Sequence, residues 1–168
     1  MTQKTSKDPL IERTLVLVKP DGVERQISGE IITRIERTGL KIVGLKMTWM
    51  TKDFAKKHYK AHVTKAFYKS LEDFMISGPV FALCVEGISA IELVRKIVGA
   101  TEPKSAAAGT IRGDYSHHSY AYADKKGIAI KNLIHASGDK NDAEYEVPLW
   151  FNDSELFEYK SVHEKHTL

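Results

Sequence analysis

Thr14-Leu15-Val16-Leu17-Val18 is an unbroken run of β-branched and aliphatic residues, the pattern of a strand covered on both faces. Pro79–Val85 (PVFALCV) is a second run of the same kind. Around these two, the punctuation is regular. Ser28 reads as the cap of a helix with Ile31, Ile32 and Ile35 on one face, stopped by Gly39. Val43, Leu45, Met47 and Trp49 alternate with Gly44, Lys46 and Thr48, predicting a strand with one buried face. Thr51 opens a helical region through Tyr59. Phe67, Leu71, Phe74 and Met75 then recur at helical spacing until Ser77-Gly78-Pro79 ends the helix. Ser89-Ala90-Ile91-Glu92 has the capping-box pattern, with Ile91, Val94, Ile97 and Val98 as the apolar face behind it. Ile128, Ile130, Asn132 and Ile134 alternate as a last strand, and Asp139 or Asn141 caps a final helix through Trp150.

The resulting order, β-α-β-α-α-β-α-β-α, contains two β-α-β halves. It predicts an α+β fold of the ferredoxin-like βαββαβ type, an antiparallel sheet covered by helices on one face. A doubly wound parallel sheet gives a similar periodicity. The 168 residues suit a single domain, since about 100–200 residues per domain is usual. Residues 1–12 are polar and read as a loose arm, 13–151 as the domain, and 152–168 as an extension packing on the domain or on a neighbouring subunit.

Lys plus Arg exceed Asp plus Glu by 25 to 22, a net charge of +3. That excess suits small anionic ligands and is too mild for dedicated nucleic-acid binding. The single cysteine, Cys84, lies inside an apolar run, which excludes an intramolecular disulfide and a cysteine zinc site and reads as a buried small hydrophobe. The start of the chain lacks the apolar core of a signal peptide, and no stretch reaches 18 apolar residues. A soluble, cytoplasmic protein without membrane contact is expected.

Neither GxxxxGK[ST] nor a GxGxxG after a strand occurs, so any phosphate must be held by side chains. Lys19 closes the first strand, Arg95 sits on the capped helix, and Arg112 lies in Gly109–Asp114 (GTIRGD) between glycines that allow close approach. Each could equally be a solvated surface cation. Among seven histidines, His58 and His62 have helical metal spacing but lack the glutamate of HExxH, and read as a surface pair. His117, His118, His163 and His166 read as solvated. His135 follows the last strand, near Asn132 and Ser137, with Glu144 and Glu146 one helix later. A histidine pinned by a carboxylate on one nitrogen offers the other as a nucleophile; a merely satisfied histidine is the alternative.

Asn132-Leu133-Ile134-His135-Ala136-Ser137 resembles the NxxH[GA]S signature of nucleoside diphosphate kinases. Thr14–Gly22 (TLVLVKPDG), Ser77-Gly78-Pro79-Val80, Gly109–Asp114, and Ala143-Glu144 through Leu149-Trp150-Phe151 agree with the family's blocks in the same order. The resemblance implies a ferredoxin-like fold and transfer of the γ-phosphoryl of a nucleoside triphosphate, mainly ATP, to nucleoside diphosphates through a phosphohistidine on His135. It implies that Lys19 and Arg112 neutralise the transferring phosphate and that Arg95 and Thr101 hold the others. Tyr59 would lie beside His135, Phe67 would stack on the base, and Asn132 would bond the ribose. Glu146 would fix the imidazole, supported by Ser137. Mg²⁺ would arrive on the nucleotide phosphates, with Asp139 the candidate for a protein contact to it. A homo-oligomer, with a hexamer favoured, is implied as well.

Three features depart from the family pattern. Gly138 stands where the family usually has Asp, and Asp139 follows it. Ser105-Ala106-Ala107-Ala108 lacks the proline common before the glycine of GTIRGD. Finally, 17 residues separate Asp114 from Asn132, and this long stretch is expected to add subunit contacts and not to line the nucleotide site. A ferredoxin-like RNA-recognition domain would share the topology, but the aromatic RNP1 segment it needs is absent. A catalytically inactive relative acting as a binding or assembly module is the other alternative, against which Lys19, Arg112, His135 and Glu146 are retained together.

Overall fold

The computed structural model describes residues 8–168. Strand β1 (Ile11–Val18) runs antiparallel to β3 (Pro79–Ile88), with Ile11 opposite Ile88 and Val18 opposite Phe81. β2 (Lys41–Trp49) pairs with the other edge of β3, and β4 (Ile134–Ala136) with the free edge of β1. The sheet order is β2-β3-β1-β4 with every pair antiparallel, which is the ferredoxin-like arrangement and excludes the parallel sheet. Of the expected 1–12 arm, residues 1–7 lie outside the described residues, and Ile11 and Glu12 already belong to β1.

Because β1 is apolar on both sides, both faces of the sheet need cover, and both have it. The short α1 (Pro20–Glu24) follows β1; Val16 and Val18 pack with Ile31 and Ile35 of α2 (Ser28–Glu36) and Val94 and Val98 of α5 (Ala90–Val98). Leu15 and Leu17 face the other way, toward Ala55 of α3 (Lys52–His58), Met75 of α4 (Tyr68–Met75) and Val147 and Trp150 of α8 (Lys140–Trp150). The single covered face expected from the sequence is therefore corrected to two. Cys84 is buried in the second cluster. Among the described residues no helix is long and apolar enough to cross a membrane.

Local expectations fare unevenly. Thr51 and Asp139 cap α3 and α8, their side chains accepting from Phe54 N and Asp142 N. Ser28 instead lies inside α2, with no side-chain cap at Ile27. Ser89 adopts a left-handed conformation (φ 47°) without capping α5; Glu12 from β1 accepts from Ile91 N at 3.1 Å in its place. The alternation along β2 is real, but a bulge at Ile42–Gly44 shifts its phase by one residue, and a one-residue shift sends side chains to the opposite face. Val43 stays buried, whereas Leu45, Met47 and Trp49 are 52%, 53% and 61% exposed. The last strand is displaced: Ile128, Ile130 and Asn132, expected in it, lie outside, and β4 begins only at Ile134, after the left-handed Leu133 (φ 69°).

The segment after α8 runs along β2. Phe157 N donates to Val43 O at 2.8 Å, Tyr159 Oη donates to Ile42 O at 2.8 Å, and Lys41 joins Glu86 and Glu164 at 2.9 and 3.3 Å. Leu83 is fully buried at the centre of the sheet. Its replacement by Ala is expected to cost about 2–5 kcal/mol, the range for emptying a buried leucine site, read in urea as a lower midpoint with an unchanged slope.

Candidate active site

The site begins with the pairing of β4 and β1. Leu17 and His135 are cross-strand partners, so they point to the same face, the one covered by α8. In α8 the buried residues are Ala143, Glu146, Val147 and Trp150, at helical spacing. Glu146 thus occupies the helix face that packs on the sheet, and its carboxylate meets His135. His135 Nε2 lies 2.9 and 3.0 Å from the two Glu146 oxygens. Ser137 Oγ donates to Glu146 Oε2 at 2.6 Å and accepts from Leu15 N at 3.2 Å, tying the carboxylate to β1. With Nε2 committed to Glu146, the imidazole presents Nδ1 as its remaining nitrogen.

His58, expected on the surface, is instead buried behind this pair. Its ring stands edge-on to His135 at 4.8 Å and accepts from Trp150 Nε1 through Nδ1 at 3.2 Å. Burial first, then the neighbouring His135, Lys19 and His62, hold its pKa well below the ordinary value, so it stays neutral. The legible signal was its position three residues after Ala55, on the buried side of α3. Tyr59 lies next to it, buried, 6.3 Å from the His135 ring; burial, then Glu146, raise its phenol pKa.

The phosphate-holding candidates converge from four elements. Lys19, just after β1, donates from Nζ to Asn132 Oδ1 at 2.8 Å, while Asn132 Nδ2 donates to Thr101 O at 2.8 Å. Arg112, in α6 (Ile111–Tyr115), donates to three carbonyls, those of Asn132 (3.2 Å), Gly99 (3.0 Å) and Ile134 (2.6 Å). Asp21 was not singled out in the sequence, yet its carboxylate accepts from Leu133 N at 3.0 Å and holds the left-handed turn beside Asn132. That strain is sustained because both flanking carbonyls and this N–H are fixed. Lys19, Arg95 and Arg112 form no ion pair among the described residues. Such a cluster of unpaired cations favours an anion.

A cleft of about 490 Å³ joins these parts, lined by Lys19, Tyr59, Phe67, Arg95, Thr101, Arg112, Asn132 and His135. Phe67 is half-exposed at its apolar end, 5.6 Å from the His62 ring. Glu146 and Ser137 stand behind His135 and do not line the cleft. The long 115–131 stretch, expected at subunit contacts, lines the cleft with Tyr120, Ala123, Asp124, Ile128, Ala129 and Ile130. The signal available was its position between Arg112 and Asn132, both of which the cleft requires.

Among the described residues, the one cluster of potential metal ligands is His58, His135 and Glu146. These are nitrogen donors and a carboxylate already engaged with His135, whereas Mg²⁺ demands oxygen ligands in octahedral array. Asp139 spends its carboxylate on the α8 cap and does not line the cleft. Gly138 N donates to Asp142 Oδ2 at 3.2 Å, so the shift of the acidic residue by one position serves the start of α8. Among the described residues no cluster of oxygen ligands forms a cage for Mg²⁺. The residues present fit a metal carried by nucleotide phosphates.

The architecture and the site together define an α+β protein whose cleft gathers cations and an oriented histidine, and comparison with known proteins makes the class specific. Residues 12–156 match the family model for nucleoside diphosphate kinase. The nucleoside diphosphate kinase of Borreliella burgdorferi is 48% identical over 156 residues, covering 90% of this chain and 93% of that protein. That of Pyrococcus furiosus is 50% identical over 149 residues, covering 89% and 88%. A solved transition-state mimic of the Borrelia burgdorferi enzyme with bound vanadate and ADP superposes with a TM-score of 0.92 at 47% identity, covering 95% of this chain and 98% of that one. The Halobacterium salinarum enzyme in complex with CDP gives 0.82 at 42% identity, covering 92% and 96%. The chain belongs to the nucleoside diphosphate kinase family.

Burial first, then Arg112, lower the Lys19 pKa to about 8, with Asp21 opposing. Between about 8 and the ordinary 10.5 the unfolded chain carries this proton and the folded one does not. Raising pH through that window therefore stabilises the fold while removing the charge Lys19 offers an anion. In the free enzyme kcat/KM is expected to fall as pH rises through about 8; a profile flat to pH ~9.5 would contradict the assignment of Lys19.

Proposed function

We propose that the kinase reaction runs in two displacements through His135. In the first, the Nδ1 lone pair attacks the γ-phosphorus of a nucleoside triphosphate, mainly ATP. The bond from phosphorus to the bridging oxygen breaks, and the nucleoside diphosphate leaves with that electron pair. In the second, a β-phosphate oxygen of another nucleoside diphosphate attacks the same phosphorus, and the N–P electrons return to Nδ1. The single observation that supports this reading most is the grip of both Glu146 oxygens on Nε2 (2.9 and 3.0 Å). It keeps that nitrogen protonated, stabilises the charge the ring gains on phosphorylation, and aims Nδ1 into the cleft.

Positioning and charge stabilisation supply most of phosphoryl-transfer catalysis. Lys19 and Arg112 suit the transferring group, Arg95 and Thr101 the remaining phosphates, and Asn132 the ribose hydroxyls. Phe67 offers a face for stacking, which every base possesses, so the site suits many nucleosides. Tyr59 bounds the cleft beside His135, and Ser137 positions Glu146. Mg²⁺ on the nucleotide would neutralise phosphate charge when bound. Incubation with ATP and Mg²⁺ is expected to leave an acid-labile phosphate detectable by intact mass, absent from His135→Ala. Glu146→Gln is expected to fold and to lower kcat by about 10–10³-fold. An unlabelled parent protein, or a labelled His135→Ala, would overturn the reading.

The same proposal includes a homohexamer and a cytoplasmic location, the latter supported by a lone buried cysteine. The exposed Leu45, Met47 and Trp49 on edge strand β2 support assembly, since closed symmetry is the usual way to bury such a face. Light scattering at micromolar concentration is expected to give six subunits, and Leu45→Lys with Met47→Lys to lower that mass without unfolding. A single-subunit mass for the parent protein would refute it.

A further inference from the structure

Three tyrosines stand in the stretch between Arg112 and Asn132, and the structure separates their uses. Tyr115 Oη donates to Glu30 at 3.0 Å, and the Arg34 guanidinium lies 5.5 Å from its ring. Tyr122 packs edge-on to His118 at 5.3 Å. Tyr120 alone of the three lines the cleft, together with Arg95, Thr101 and Arg112. It is 45% exposed, and its hydroxyl has no protein partner among the described residues.

The residue is held in this place. It is the first residue of α7 (Tyr120–Lys126), capped by Ser119, whose side chain accepts from Tyr122 N. Tyr120 N donates to Glu102 Oε1 at 2.9 Å, and Glu102 Oε2 accepts from Ser105 Oγ at 2.5 Å. Glu102 directly follows Thr101, so one carboxylate clamps α7 to the turn that carries a phosphate-holding candidate. Lys104 N donates to His118 O at 3.1 Å, and Ala123 is buried beneath the helix. α7 is therefore a packed wall of the cleft with two attachments.

We infer that Tyr120 is a nucleotide-positioning residue, its phenol O–H donating to a phosphate oxygen of the nucleoside diphosphate or triphosphate beside Arg112. The inference rests on the assignment of this cleft to nucleotides. The chemistry is matched: a hydroxyl without a protein partner among the described residues, on a cleft that also holds Arg95 and Arg112, finds its acceptor when an oxyanion enters. Burial, then Arg95, lower the Arg112 pKa to about 10, and Tyr120 is the larger of the two groups opposing that shift. This places the Tyr120 phenol within electrostatic reach of the guanidinium. Asp21, the other group opposing the shift, already accepts from Leu133 N at 3.0 Å.

The test compares Tyr120→Phe with the parent protein by calorimetric titration with MgADP and with adenosine. Tyr120→Phe keeps the ring and the packing of α7, so a purely structural role leaves both affinities unchanged. The hydroxyl reading expects MgADP affinity to fall about three- to tenfold, the scale of a partly solvated hydrogen bond to a charged group, with adenosine affinity and thermal midpoint unchanged. Glu102→Ala, which releases the clamp, is expected to weaken MgADP in the same direction. Equal MgADP affinity in Tyr120→Phe and parent overturns the inference, as does an equal loss for adenosine. Binding of ADP needs no phosphate transfer, so labelling of His135 by ATP tests the underlying reading separately.

Discussion

Glu146 grips Nε2 of His135 with both oxygens, and the rest of the site is arranged around that contact. Its carboxylate is held in turn by Ser137, whose hydroxyl also accepts from the backbone of β1. A carboxylate on the sheet-facing side of α8 would be costly to bury without such partners. Here the cost is offset by the imidazole, the hydroxyl and the neutral His58 behind them. Directional pairing of this kind fixes one nitrogen and leaves the other free, the condition a nucleophilic imidazole needs.

The second constraint is electrostatic. Lys19, Arg95 and Arg112 line one cleft with no anion paired to them among the described residues, and burial depresses the pKa of Lys19 and Arg112. Two of the three are positioned by neutral groups, Lys19 by Asn132 and Arg112 by three backbone carbonyls. Carbonyls and amides orient a cation without neutralising it. The charge therefore remains available to phosphate, and the left-handed Leu133 is the backbone strain accepted to bring two of those carbonyls into place.

The stretch between Arg112 and Asn132 alters the shape of this cleft. α7 closes a side with Tyr120 and Asp124, anchored through Glu102 to the turn bearing Thr101. A segment that reads as irregular in sequence is thus a fixed wall, because its order comes from caps and side-chain clamps and not from periodic apolar burial.

What the sequence by itself determined is what local periodicity encodes. The apolar runs of β1 and β3 specify central strands, and Asp139 marks the start of the helix that carries Glu146. His135 stands out by a different route, the resemblance of Asn132–Ser137 to a family signature whose residues lie within one short segment. Only the tertiary structure decided the rest. Lys19 and Asn132 meet across 113 residues of chain, and a single bulge residue turned Leu45, Met47 and Trp49 outward against their apparent pattern. His58 shares the buried side of α3 with Ala55, but the partners it meets there, Trp150 and His135, arrive from other elements. Such contacts depend on the path of the chain between elements, and no spacing within one element carries that information.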